Sequence, residues 1–194
     1  DDELTEILSE ERICRHLHLP LQSGSERILK LMRRGYSALY FGKLVESISS
    51  RINNISIGTD IIIGFPGESD EDFNATYNLM TSLPISYMHI FPFSARPGTD
   101  ASIMTGRVDD LTIKRRVKIL ADLNKRKKRA YLESQLNNTL DIILEEPDGA
   151  GLYTGTSGNY LKIRASAEGD VKGSILYVRP VSISEDMLIA VAIV

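Results

Sequence analysis

Ile55-Ser56-Ile57-Gly58-Thr59-Asp60-Ile61-Ile62-Ile63-Gly64-Phe65-Pro66-Gly67-Glu68-Ser69-Asp70-Glu71-Asp72 is the stretch from which the fold can be read. Its first half alternates as a β-strand does, since successive side chains of an extended chain point to opposite faces. Ile55, Ile57, Thr59, Ile61 and Ile63 make one face; Ser56, Gly58, Asp60, Ile62 and Gly64 make the other. Phe65-Pro66-Gly67 then turns the chain. Ser69 is placed to cap a helix, with Asp70, Glu71 and Asp72 in the first turn, where the helix dipole favours anions.

The same alternation extends to both sides. Upstream, Arg12 to Gln22 reads as a strand, with Leu17, Leu19 and Leu21 on one face and His16, His18, Pro20 and Gln22 on the other. Asp1 to about Ser9 reads as the end of an amphipathic helix. Ser25 caps a short helix that Gly35 ends, and a further helix runs from Ser37 to about Ser50 with Leu39, Tyr40, Leu44, Val45 and Ile48 as its apolar set. Downstream, the helix opened by Ser69 ends near Ser82, and Tyr87 to Phe93 is a third strand leading into Ser94-Ala95-Arg96-Pro97-Gly98-Thr99. Strand and helix alternate three times. That predicts an α/β fold with parallel strands in βαβ units, an open part of a βα barrel.

The texture then changes. Asp109 to Leu136 reads as one long helix, capped by Asp109 or Asp110, with Leu111, Val117, Leu120, Leu123 and Tyr131 along its apolar stripe. After it, Leu140–Leu144, Tyr160–Ile163, Ser174–Val178 and Met187–Val194 are short strand-like runs separated by turns such as Pro147-Asp148-Gly149 and Glu168-Gly169-Asp170. Evenly spaced short strands predict a small all-β barrel. The expected domains are therefore residues 1–136 and 137–194.

Composition narrows the function classes. The chain has 194 residues, 42% of them hydrophobic, with 23 Lys+Arg against 26 Asp+Glu, a formal net charge of −3, one Cys and no Trp. That is the balance of an ordinary globular protein. No apolar run approaches the ~20 residues that span a bilayer, and the start lacks a secretory pattern, so a cytoplasmic protein with no membrane partner is expected. Cys14 alone makes no internal disulfide, no disulfide-linked partner is expected, and one cysteine cannot ligate an iron–sulfur cluster. The mild net charge conceals a strongly basic stretch: Lys114, Arg115, Arg116, Lys118, Lys125, Arg126, Lys127, Lys128 and Arg129 face a single acid, Asp122. Such asymmetry is either a solvated helix face or the footprint of a nucleic-acid binder.

In an α/β barrel the inward faces of the strands and their C-terminal ends build the site. There the first strand offers His16, His18 and Gln22, the second Asp60, and the third His89 beside Tyr87, Phe91 and Phe93. Two histidines on one strand with one far away is poor zinc spacing, so these are read as satisfied polar side chains and no metal ligand is assigned. Asp60 is either a loop partner or a ligand-binding carboxylate. Gly64, Pro66 and Gly67 bring backbone close to whatever binds beside them, and Arg33-Arg34 is either a surface pair or a clamp for a carboxylate.

Read in order, His18-Leu19-Pro20-Leu21-Gln22-Ser23-Gly24-Ser25, Leu29-Lys30-Leu31-Met32-Arg33-Arg34-Gly35-Tyr36, Thr59-Asp60-Ile61-Ile62-Ile63-Gly64-Phe65-Pro66-Gly67-Glu68 and Phe93-Ser94-Ala95-Arg96-Pro97-Gly98-Thr99 resemble the radical S-adenosylmethionine methylthiotransferases. The trailing β segment resembles their RNA-binding TRAM domain. The resemblance implies radical insertion of a methylthio group at a C–H bond, with S-adenosylmethionine and two 4Fe-4S clusters in the full-length enzyme. It implies that Gln22 and Asp60 hydrogen-bond the ribose or amino group of S-adenosylmethionine, that Arg34 pairs with its carboxylate, and that Gly64, Pro66 and Gly67 shape the adjacent wall. The family's three-cysteine motif is absent, and Cys14 does not match it. The expectation is a C-terminal portion that ligates no cluster and is inactive alone, its catalytic residues unassigned.

The family modifies either an adenosine beside the tRNA anticodon, in its threonylcarbamoyl or isopentenyl form, or a ribosomal-protein aspartate. Leu21-Gln22-Ser23-Gly24-Ser25 resembles the tRNA type, and Met88-His89-Ile90-Phe91-Pro92-Phe93-Ser94 the threonylcarbamoyladenosine branch. For RNA contact the expected residues are Lys125, Arg126, Lys128 and Arg129 on the basic helix. Tyr160, Lys162 and Arg164 alternate along one expected strand, an aromatic with two cations suited to stacking and phosphate attraction. A reading from another class is an RNA-binding module without chemistry.

Overall fold

The computed structural model describes residues 6–8, 10, 12–149, 151–167 and 171–193. The amphipathic start and the Glu168-Gly169-Asp170 turn lie largely or wholly outside these. The chain forms two compact units, one made of Leu17–Arg51 with Ile57–Lys127, the other of the described residues up to His16 with Ile52–Ser56 and the chain from Lys128 onward.

In the first unit the Ile-rich stretch becomes β2 (Ser56–Ile63), the middle strand of a three-stranded sheet between β1 (His16–His18) and β3 (Tyr87–Pro92). β2 and β3 run parallel with Asp60 opposite His89, which places both side chains on one face. β1 is shorter than the alternation predicts. Pro20 lacks an N–H, and Gln22 takes a left-handed φ of 73°, so pairing resumes only as a single bridge from Gln22 to Ile61. The helices are α1 (Glu26–Leu31), α2 (Ala38–Arg51), α3 (Asp70–Ser82), α4 (Asp100–Ile103) and α5 (Asp110–Ser134).

Helix boundaries follow local chemistry. Ser25 accepts from the Ile28 amide at the start of α1. This helix ends before Gly35, because Arg33 adopts a left-handed φ of 56° and the Arg34 amide donates back to the Leu29 carbonyl at 2.9 Å. Ser69 and Asp72 form a reciprocal capping box on α3. Asp109 caps α5, its Oδ1 accepting from the Thr112 amide at 2.9 Å. Three apolar assignments are corrected at first turns. Leu39 and Tyr40 of α2 are exposed while Phe41, Val45 and Ile48 are buried, and Leu111 of α5 is exposed while Leu120 and Leu123 are buried.

In the second unit, β4 (Leu140–Pro147), β5 (Leu152–Ser157), β6 (Lys162–Ser166), β7 (Ile175–Ser184) and β8 (Met187–Ala192) close into a barrel in the order β4-β5-β6-β8-β7. One strand more is present than the sequence predicts. β5 escapes notice because Thr154, Gly155 and Thr156 carry no apolar alternation. Gly155 is required there, since a Cβ would lie 2.5 Å from the Ile143 carbonyl oxygen on β4. Ile142, Leu144, Ile163, Val178 and Leu188 fill the interior with Leu132 from the end of α5. That contact explains why the units divide at Lys127, upstream of the expected boundary near Leu136. Tyr160 is also displaced from its expected strand: it sits in the turn before β6 with a left-handed φ of 66°. Among the described residues no helix is long and apolar enough to cross a membrane.

Candidate functional site

The segments following the three parallel strands converge at one end of the sheet, where such folds place their ligands. Gln22, after β1, is a buried non-glycine residue in a left-handed conformation, fixed by its amide donating to the Asp60 carbonyl at 2.8 Å and its carbonyl accepting from the Ile62 amide at 2.9 Å. Residues held there at some energetic cost cluster at functional positions. Gln22 and Asp60 line a cavity of about 490 Å³ together with Phe91, Phe93, Ser94 and Arg96. Arg34 lines a second cavity of about 690 Å³, with Lys30 and Arg33, and Ile62, Phe93 and Ala101 line both. The three residues expected to hold one ligand thus stand around two adjoining spaces. Arg33 is engaged with Asp100 at 2.5 Å. Tyr36 ties the loop after α1 to the end of β1 by donating to the Pro20 carbonyl at 2.9 Å, and its burial raises the phenol above its ordinary value. Arg96, a motif member to which the sequence assigns no role, is a cavity residue.

Gly64, Pro66 and Gly67 line neither cavity. They shape a turn over a buried ionic framework. Gly64 has a φ of 81°, and a Cβ on it would lie 2.5 Å from Ile113. Its amide donates to Glu68 Oε2 at 3.0 Å. The same oxygen accepts from Arg116 Nη1 at 2.7 Å, while Arg116 Nη2 donates to Asp70 Oδ1 at 2.7 Å. Arg116, one of the nine expected surface cations, is therefore an internal strut. Burial pushes Glu68 above the usual carboxylate range despite the Gly64 amide and Arg116. Nearby, Asp72 accepts from Ser25, Ser69 and Arg27. Burial alone would raise this carboxyl, but those hydrogen bonds outweigh it and hold Asp72 well below the usual range.

The polar face of the sheet holds a second arrangement. His18 Nε2 lies 2.9 Å and His89 Nδ1 3.3 Å from the same oxygen, Asp60 Oδ1. The Tyr87 hydroxyl lies 3.3 Å from His18 Nδ1, and the two imidazoles stack with centroids 5.1 Å apart. By sequence spacing, His16 and His18 fall together on one strand. The structure instead draws one residue from each strand, and His16 stacks on Tyr160 with ring centroids 4.5 Å apart.

Of the expected RNA-contacting residues, Lys125, Arg126, Lys128 and Arg129 are exposed along α5. Arg129 pairs with Glu133 at 2.8 Å. Lys127 behaves differently: its Nζ donates to the Leu83 carbonyl at 2.7 Å, closing the end of α3, and burial lowers its pKa. On the barrel, Lys162 and Arg164 share a face of β6 but are engaged, Lys162 with Glu145 at 2.7 Å and Arg164 with Asp148 at 2.5 Å. In the same unit, Asn159 donates to Gln135 Oε1 and to the Tyr131 hydroxyl, both at 3.0 Å, while Tyr131 donates to the Asn54 carbonyl at 2.8 Å. Burial pushes the Tyr131 phenol well above its ordinary value.

Known proteins similar to this chain share one family. A family model described as Radical SAM superfamily matches residues 1–80. A threonylcarbamoyladenosine tRNA methylthiotransferase MtaB from Aquifex aeolicus is 46% identical over 141 residues, covering 72% of this chain and 34% of that protein. The protein of the same name from Bacillus subtilis is 34% identical over 183 residues, covering 92% of this chain and 41% of its own length. A tRNA-2-methylthio-N(6)-dimethylallyladenosine synthase from Pelotomaculum thermopropionicum is 34% identical over 172 residues, covering 88% of this chain and 38% of its own. The chain thus spans between about a third and two fifths of the length of these relatives.

Proposed function

The chain belongs to the radical S-adenosylmethionine methylthiotransferases, and on that premise we propose that the whole protein adds a methylthio group to threonylcarbamoyladenosine beside the anticodon of tRNA in the cytoplasm. The observation that carries the reading is that all four resembling segments border the paired cavities, through Gln22, Arg34, Ile62 with Asp60, and Phe93 to Thr99.

The residues suit S-adenosylmethionine. A carboxyamide and a carboxylate at Gln22 and Asp60 can hydrogen-bond ribose or amino groups, Arg34 can pair with a carboxylate, and Phe91 and Phe93 offer aromatic surface to a base. When bound, S-adenosylmethionine and the iron–sulfur clusters supply the radical chemistry; this chain binds and orients. With Cys14 as its sole cysteine, it ligates no cluster and forms no methylthio product alone. α5 and the barrel hold the RNA through exposed cations and Tyr160.

Two measurements test this. Calorimetric titration of the chain with S-adenosylmethionine should show binding that Arg34→Ala weakens about 10- to 100-fold, the worth of a charge-assisted hydrogen bond; unchanged affinity would remove Arg34 from the site. Mass spectrometry of nucleosides from tRNA treated with the whole protein should find the methylthio group on threonylcarbamoyladenosine. Its appearance only on isopentenyladenosine, or on a ribosomal protein, would overturn the substrate assignment.

A further inference from the structure

We propose that His18, Asp60 and His89 form a binding site for one first-row divalent transition-metal ion, distinct from any iron–sulfur cluster. Each of three adjacent strand segments contributes one ligand, and the candidate ligand atoms all lie within 4.8 Å of one another. Both imidazoles approach the single oxygen Asp60 Oδ1, at 2.9 and 3.3 Å. An ion bound at about 2.0–2.2 Å from nitrogen and oxygen sets neighbouring ligands roughly 3.0–3.4 Å apart, so the cluster can receive one with small side-chain shifts. The donor set selects the class. Two imidazole nitrogens and one carboxylate oxygen suit Zn²⁺, Co²⁺, Ni²⁺ or Fe²⁺, whereas Mg²⁺ and Ca²⁺ prefer oxygen alone.

The surroundings support the ligands as an outer shell would. Tyr87 sits 3.3 Å from the nitrogen of His18 that does not face Asp60. A hydroxyl can donate or accept, so it serves either tautomer: it donates when His18 Nε2–H bonds Asp60, and accepts when Nε2 is given to an ion. The Tyr87 ring lies where any side chain at position 58 would stand, since a Cβ on Gly58 would come 2.2 Å from it. Register does the rest, because Asp60 and His89 are directly paired on β2 and β3. Three protein ligands leave coordination positions open, and Asp60 also lines the 490 Å³ cavity.

The test is titration of the untagged, chelator-stripped full chain with Co²⁺, followed by its visible d–d absorption, in a Cys14→Ser background so that the exposed thiol contributes nothing. One equivalent should bind, Zn²⁺ should displace it, and a large excess of Mg²⁺ or Ca²⁺ should not. His18→Ala and His89→Ala should each abolish the bands or weaken binding by more than the about tenfold expected for Tyr87→Phe, an outer-shell change. His16→Ala should leave binding intact. The His89 side chain is 56% exposed, so its removal leaves folding unaffected, which circular dichroism checks. Absence of saturable Co²⁺ binding, binding that survives His18→Ala with His89→Ala, or displacement by Mg²⁺ would each overturn the site.

Discussion

Arg116 stands in the middle of a basic run, yet only 3% of its surface is exposed, and it reaches Glu68 and Asp70. Glu68 Oε1 and Arg116 Nε are both buried without a hydrogen-bond partner among the described residues. Removing one side of such a pair strands the other charge. Arg116→Met should therefore lower stability by about 3–5 kcal/mol in urea unfolding, and Glu68→Leu added to it should restore part of the loss. An unchanged single variant would show that the pair contributes nothing. Asp72 makes a pH prediction with a definite sign. Its folded carboxyl is held below its unfolded value, so its stabilisation is complete above about pH 4 and is lost as pH falls further towards the folded value. Glu68 runs the other way: its raised carboxyl favours the folded state at low pH, and that help fades as pH rises through its folded value. Urea midpoints measured against pH should fall on the acid side, and Asp72→Asn should flatten that limb while leaving the slope set by Glu68.

Glycine roles separate at the level of elements. A Cβ on Gly24 would meet the α3 backbone at Thr76 Cα, 2.5 Å away, so the chain after β1 lies directly against that helix. Gly24→Ala should cost about 1–3 kcal/mol by overpacking. Gly35 has open space around it and no left-handed φ, so Gly35→Ala should be neutral or stabilising by about 0.4–1 kcal/mol, both read from thermal melts. The same contrast shows what the sequence discloses. Ser69 and its acidic first turn announce α3 because capping is local. The end of α1 at Arg33 is not announced, because a left-handed arginine carries no compositional mark, and β5 is hidden because its partners on β4 and β6 supply its register.

For the whole molecule, tRNA binding should weaken steeply with salt. Lys125→Ala and Lys128→Ala should each reduce the slope of the logarithmic salt plot by about one, in filter-binding titrations. Arg116→Met should act through stability alone, since its charge is internal. Gln22, Asp60 and Arg34 were legible as motif members, but their division between two cavities was not, because cavity walls are set by non-local packing. The alliance of His18, Asp60 and His89 was hidden likewise. Alternation assigns each a face of its own strand, and only the register between strands makes them neighbours.

The Asn159 network bears on how portable the barrel is between genes. Asn54, Tyr131 and Gln135 all precede residue 137, yet they satisfy the buried Asn159 amide and its surroundings, and Leu132 fills the barrel floor. Recombination that moved residues 137–194 alone would transfer the strands without these partners, leaving the Asn159 N–H donors without their acceptors while Ser157 still donates to its oxygen. The barrel is thus not an exchangeable cassette. Its inheritance is tied to the last turns of α5 and to a short segment more than seventy residues upstream of them, so crossovers near residue 136 should be selected against even though they fall in a loop.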